Sequence, residues 1–275
     1  MKDLLYSEDH NFYIDGLKVS GVSSINGSYT IPNQDNSFLG YEGEPDYIQN
    51  GVGKANLSFE KIMISSDKPI TDLIKDTGFD GGIEYNGKVL NFESGYLTSY
   101  DVSFSVDSLP RSSVAIDVFG DMGSTVTAKT PVIKNEDIFI PASSGINLNC
   151  DGRSTNRVLS FSFSITPERQ VFYKIGSIKP SEVCSKVPIR SSFSVELEVD
   201  DYETKDVYSY IKTGIHFKNI QVSLQDKCDD SRKIIYSFDK MNLNSESFNT
   251  NVDDNTKVTL SYSNSSMSPP LITYT

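Results

Sequence analysis

The sequence predicts a mainly β protein of two tandem halves, each a β-sandwich or barrel with one short helix and one long inter-strand loop. Three observations carry this. Short runs that alternate apolar and polar residues recur along the chain, bounded by Gly, Asn, Asp, Ser and Pro, as half-buried antiparallel strands do. Helical periodicity is scarce. The order of elements in the first half returns in the second.

Taken in order, strands are expected over residues 23–31, 55–64, 89–92, 97–106 and 113–119, then over 158–165, 192–199, 215–224, 233–238 and 257–262. Two segments read as helices, PITDLIKD (69–76) and TKDVYSYIK (204–212). Each is closed by a glycine that follows a threonine, Gly78 and Gly214, and a glycine just past the last turn is a common helix stop. The N-terminal residues around His10 read as polar and mobile. The C-terminal SNSSMSPPLITYT, with two prolines, reads as an extended arm.

An internal repeat fixes architecture more firmly than propensity. SSINGSYTIP, ending at Pro32, lies on LSFSFSITP, ending at Pro167, both alternating strands stopped by an imino acid. A loop of roughly two dozen residues follows each, over 33–54 and 168–191. LSFEKIMISS from Leu57 then lies on FSVELEVDD from Phe193, and DLIKDTG (72–78) on SYIKTG (209–214). Phe92, Leu97, Ser99, Val106 and Asp107 match Phe238, Leu243, Ser245, Val252 and Asp253 at a constant offset. The boundary falls in TAKTPVIKNED (127–137), where Pro and charge interrupt the pattern. The expected domains are 1–134 and 135–275.

At 275 residues, 37% of them hydrophobic and 11% aromatic, the chain can bury a core for each half. No apolar run approaches the ~18 residues of a membrane span, so no membrane insertion is expected. The first residues lack the apolar stretch of a secretory signal. Cys150, Cys184 and Cys228 are odd in number and form no CxxC pair, so they read as plain thiols. A net charge of -12 opposes any phosphate-gripping face.

The residues of catalysis are thinly supplied. The two histidines, His10 and His216, lie far apart in sequence. No GxSxG, GxxxxGK[ST] or HExxH motif is present. Asp200-Asp201, Asp229-Asp230 and Asp253-Asp254 lack the spacing that wraps a loop around calcium, and read as solvated turns. Trp is absent, which weakens a sugar-cleaving or sugar-binding reading, since indole rings commonly stack on sugars. The chain is expected to be no enzyme, with no cofactor and no metal.

An acidic β protein with two similar halves, each with a short helix and a long loop, resembles the tail tube proteins of long-tailed bacteriophages. The resemblance is carried by INGSYTIPNQDNSFLGYEGEPDYIQNGVGK, by LSFEKIMISSDKPITDLIKDTG, and by their counterparts ending at Pro167 and Gly214. It implies a duplicated tube subunit of the virion tail, made in the host cytoplasm, with three chains per pseudo-sixfold ring and rings stacked around a channel for DNA. It implies tape-measure and baseplate proteins as partners. Edge strands would pair around the ring, and acidic or polar channel residues would let DNA slide. On that reading Glu93, Ser99, Asp101, Ser103, Asp239, Ser245 and Ser247 are the candidate channel-lining residues. Phe38, Tyr41 and Tyr47 in the first loop, and Phe172, Tyr173 and Ile175 in the second, are the candidate contacts between subunits or rings. A baseplate hub or distal tail protein shares the same pattern. A carbohydrate-binding or adhesion module is the alternative of another class.

Overall fold

The computed structural model describes residues 10–31, 33–36, 46–49, 53–64, 67–74, 78–85, 88–106, 108–127, 139, 141–151, 153–177, 179–198, 217–249 and 256–275. The first half runs β1 (His10–Ile14), β2 (Leu17–Val19), β3 (Val22–Thr30), β4 (Asn33–Asn36), β5 (Asp46–Gln49) and β6 (Lys54–Ile62). A single helical turn, α1 (Lys68–Thr71), tightens into a 3-10 turn (Asp72–Ile74) and is followed by β7 (Phe79–Tyr85), β8 (Lys88–Ser105), β9 (Arg111–Val118) and β10 (Met122–Gly123). The second half runs β11 (Pro141–Cys150), β12 (Arg153–Thr155), β13 (Val158–Thr166), β14 (Arg169–Phe172), β15 (Glu182–Ser185) and β16 (Ile189–Glu198). It ends with β17 (Phe217–Asp226), β18 (Lys233–Asn249), β19 (Lys257–Ser266) and β20 (Leu271–Tyr274).

The pairings of the first half are β1–β2, β1–β7, β3–β6, β4–β5, β6–β9, β7–β8, β8–β9 and β8–β10. Each has its counterpart ten strands on: β11–β12, β11–β17, β13–β16, β14–β15, β16–β19, β17–β18, β18–β19 and β18–β20. The registers agree as well. Val22 faces Lys61 and Gly27 faces Leu57, as Val158 faces Leu197 and Phe163 faces Phe193, each pair displaced by 136 residues. The equivalence of β3 and β13 therefore sets Thr30 on Thr166. The alignment of Pro32 with Pro167 is one residue out of step, a slip that alternation alone does not penalise.

All strand pairs are antiparallel. One large layer has the order β3-β6-β9-β8-β13-β16-β19-β18, and two smaller layers, β2-β1-β7-β8-β10 and β12-β11-β17-β18-β20, join it through the long strands. β8 and β18 serve both layers because each bends midway. Ser94 and Lys240, equivalent in the two halves, carry φ of 56° and 54°. The register then shifts between Leu97 and Ser99 and between Leu243 and Ser245. A bulge of this kind turns a strand without ending it. It also explains why residues 89–92 and 97–106 form one strand rather than two.

The inner faces of the layers meet in a sandwich-like core. β6 alternates with period two from Ala55 to Lys61, and its inward Phe59 lies 4.7 Å from Phe12 of β1, ring to ring. In the second half Phe163 of β13 meets Tyr236 at 4.7 Å and Phe238 at 5.2 Å. Side chains of this size buried on both sides supply most of the favourable free energy of such a fold. One inward position is charged: Lys61, in the place held by Leu197 in the other half, is buried and ion-paired with buried Asp67. The Tyr100 hydroxyl donates to the second oxygen of Asp67 at 2.9 Å. Burial, and then the Asp67 charge, holds the Tyr100 phenol well above its usual range.

Several expectations are corrected. The first helix is a short turn followed by a 3-10 turn, pinned by buried Ile70, Leu73 and Ile74. The long loops hold two-stranded hairpins, β4–β5 and β14–β15. The N-terminal segment contains a core strand, β1, with Phe12 and Ile14 buried. The C-terminal arm folds back as β20 against β18, and the Tyr274 hydroxyl lies 3.4 Å from that of Thr71. The helix expected over 204–212, Val252 of the pair with Val106, the pair Asp107–Asp253, and His216 lie outside the described residues.

Candidate assembly surfaces

Among the described residues one pairing has no counterpart. β8 of the first half pairs with β13 of the second, Tyr100 opposite Ile165, Val102 opposite Phe163 and Phe104 opposite Phe161. All six side chains are buried. This seam makes the large layer continuous across the two halves. Its ends are β3, which pairs with β6, and the C-terminal part of β18 (243–249), which pairs with β19. β3 is the equivalent of β13, and β18 is the equivalent of β8. The two ends are thus the two sides of the same seam, each without its partner among the described residues.

Alternation places a polar face opposite the core side of this layer. Along the seam it consists of Asp101, Ser103 and Ser105 on β8 with Ser160, Ser162 and Ser164 on β13. The next strands continue it with Ser192, Ser194 and Glu196, paired across with Ser263, Ser261 and Thr259. A shallow depression over the seam is lined by Ser103, Arg111, Ser162 and Glu196 among others. Lys54 on this face sits 2.8 Å from Asp117, and Arg111 is exposed on it.

The candidate channel residues divide on this geometry. Ser99, Asp101 and Ser103, with Ser245 and Ser247, lie on the polar face of the large layer. Glu93 and Asp239 do not join them. They precede the bends at Ser94 and Lys240 and belong to the smaller layers, where Glu93 stands 3.9 Å from Lys179.

Three of the six candidate contact residues fall at one hairpin. Phe172 and Tyr173 are about half exposed and Ile175 fully so, at the tip of β14–β15. The hairpin crosses the seam to the first half. Arg169 donates from Nε to the Leu97 carbonyl at 3.0 Å, and Lys179 donates to Asp121 at 2.7 Å. Tyr47 lies on β5, whereas Phe38 and Tyr41 lie outside the described residues.

Three further side chains, which sequence reasoning missed, stand at the open ends of the layer. Tyr29 on β3 and Phe248 on β18 are each 48% exposed. Beside Phe248 on the same face, both carboxylate oxygens of Glu246 are buried without a hydrogen-bond partner, and burial raises its pKa. Glu246 occupies the position of Tyr100 in the first half. No linear motif marks such residues, because their exposure depends on which strand ends the sheet.

Among the described residues no group of three or more His, Cys, Asp or Glu is placed to hold a metal ion, and no helix is long and apolar enough to cross a membrane. Cys150, Cys184 and Cys228 form no disulfide. No protein-family model matches the chain, and no curated protein matches it.

Proposed function

We propose that this chain is a structural, non-enzymatic subunit of a bacteriophage tail tube, assembling as rings of three copies stacked around a channel for DNA. The observation that supports it best is the seam: two halves with the same pairing pattern join edge to edge and, among the described residues, leave the same two edges open. Exposed edges of this length template aggregation unless paired, and a head-to-tail contact that closes on itself removes them. Three copies of the eight-stranded layer would form a barrel of twenty-four strands. With strands about 4.8 Å apart and tilted about 40°, that barrel is roughly 48 Å across at the backbone, wide enough to pass duplex DNA.

The polar face of the layer would then line the bore. Small serine side chains offer a smooth hydrated wall, and Asp101 and Glu196, within a net charge of -12, repel phosphate rather than hold it. The exposed tip of β14–β15 would meet the neighbouring ring. Tape-measure and baseplate proteins are the further partners this reading brings, and the virion tail is its location.

The test is negative-stain imaging with mass measurement across concentration. Rings or tubes with an open bore are expected. A chain that stays monomeric at high concentration contradicts the proposal, and a discrete trimer that never stacks points instead to a baseplate hub.

A further inference from the structure

The internal seam supplies a template for the contact between copies. We propose that β3 of one copy pairs antiparallel with the C-terminal half of β18 of a second copy, in the register of the β8–β13 seam. That register places Tyr29 opposite Glu246, Ser28 opposite Ser247, Gly27 opposite Phe248 and Asn26 opposite Asn249. The assignment deepens the tube reading and rests on it for closure into a ring, while the pairing itself rests on the seam.

The register follows from two equivalences already visible in the strand pairs. β3 maps onto β13 residue by residue, Val22 on Val158 through Thr30 on Thr166. β8 maps onto β18 with Leu97 on Leu243 and Ser99 on Ser245, each followed through the same register shift. Applying both to the pairs Asp101–Ser164, Val102–Phe163 and Ser103–Ser162 gives the contacts named above.

Three independent features of the open edges fit that register. Phe248 takes the place of Val102 and is larger; Gly27 takes the place of Phe163 and carries no side chain, so the bulk exchanged across the joint is redistributed rather than doubled. Tyr29 and Phe248, both 48% exposed, would lose that exposure together on the core side of the sheet. The unpartnered Glu246 carboxylate would gain the Tyr29 hydroxyl as a donor from the strand opposite, and a buried polar group without a partner is what an incomplete interface leaves behind. On the other side of the sheet Ser28 and Asn26 would continue the polar face through Ser247 and Asn249. Because the two edges differ, the contact is head to tail and propagates from copy to copy.

The experiment is disulfide trapping in a Cys184→Ser, Cys228→Ser background. Ser28→Cys with Ser247→Cys puts two thiols directly opposite; Ser28→Cys with Asn249→Cys displaces them by two residues. The first pair is expected to give a ladder of covalent oligomers under mild oxidation, with at least about tenfold more product than the displaced pair, because directly opposed residues lie within disulfide reach. Single-cysteine variants are expected to give no ladder. Phe248→Lys should abolish assembly while leaving the unassembled chain's melting temperature within a degree or two of the parent. No covalent product in an assembled sample, or a displaced pair that reacts as well, overturns the register. Rings with an open bore but no trapping would leave the tube reading standing and remove this pairing. Trapped open chains without a bore would leave the pairing and remove the tube. A chain that neither assembles nor cross-links overturns both.

Discussion

The seam inside the chain and the two open edges of the same layer use equivalent strands with different side chains. At the seam every inward pair is large and apolar, with Tyr100, Val102 and Phe104 against Ile165, Phe163 and Phe161, all buried. At the edges the same positions hold Glu246 and Phe248 on one strand, and Ile25, Gly27 and Tyr29 on the other. A joint made once during folding can be wholly apolar. An edge that first meets water as a separate chain is better served by a glycine, a carboxylate and a phenol, which blunt premature pairing yet complement each other when paired.

The comparison breaks most visibly when the permanent side is cut. Phe163→Ala removes the ring that meets Tyr100, Tyr236 and Phe238, and should cost about 3–5 kcal/mol of folding stability. Denaturant midpoints at constant slope would register the loss. Asp67→Ala should cost a similar amount, about 3–5 kcal/mol, because it removes the buried counter-ion of Lys61 and the acceptor of the Tyr100 hydroxyl. The double change Lys61→Met, Asp67→Leu should recover most of that loss, since an apolar pair matches the Leu197 position of the other half; no recovery would mean the ion pair is needed for more than neutralising itself.

The open side should behave differently. Phe248→Ala is expected to change the stability of the unassembled chain by less than about 1 kcal/mol, as for a half-exposed residue, while raising the concentration needed for assembly, as read by light scattering. The smallest effect concerns Glu246. Burial raises its pKa in the folded chain, so the folded state holds its proton more tightly than the unfolded state does. Stability is then greatest below the ordinary carboxylate pKa and declines as pH rises through the raised value. Glu246→Gln should raise the melting temperature of the unassembled chain at pH 8, with the gain shrinking toward pH 4; a gain independent of pH would remove the carboxylate as its cause.

Much of this was legible in the residues. KANLSFEKI alternates so regularly that its strand, its core face and its exposed face follow from period two alone, and Ser99, Asp101 and Ser103 were placed on one polar face for the same reason. That Glu93 and Asp239 lie on other layers than Ser99 and Ser245 was not legible, because the bend at Ser94 and Lys240 passes each strand from one layer to another. Period two sets Lys61 on the inward face with Phe59, but its counter-ion Asp67, six residues on and past the end of the strand, has no place in that pattern. The contacts of Tyr29, Glu246 and Phe248 were hidden because edge and interior strands are written in the same alphabet. Only the pairing order says which strand is last.

Peptide-resolved hydrogen exchange across a concentration series addresses the central claim most directly, that the layer's two open edges are one seam waiting for other copies. Amides around 100–105 and 160–165 should be protected at every concentration. Within 24–28 and 246–249, the amides that point away from β6 and β19 should exchange freely in dilute chain and become protected in step with assembly. Edges that exchange equally fast in assembled material would contradict the account.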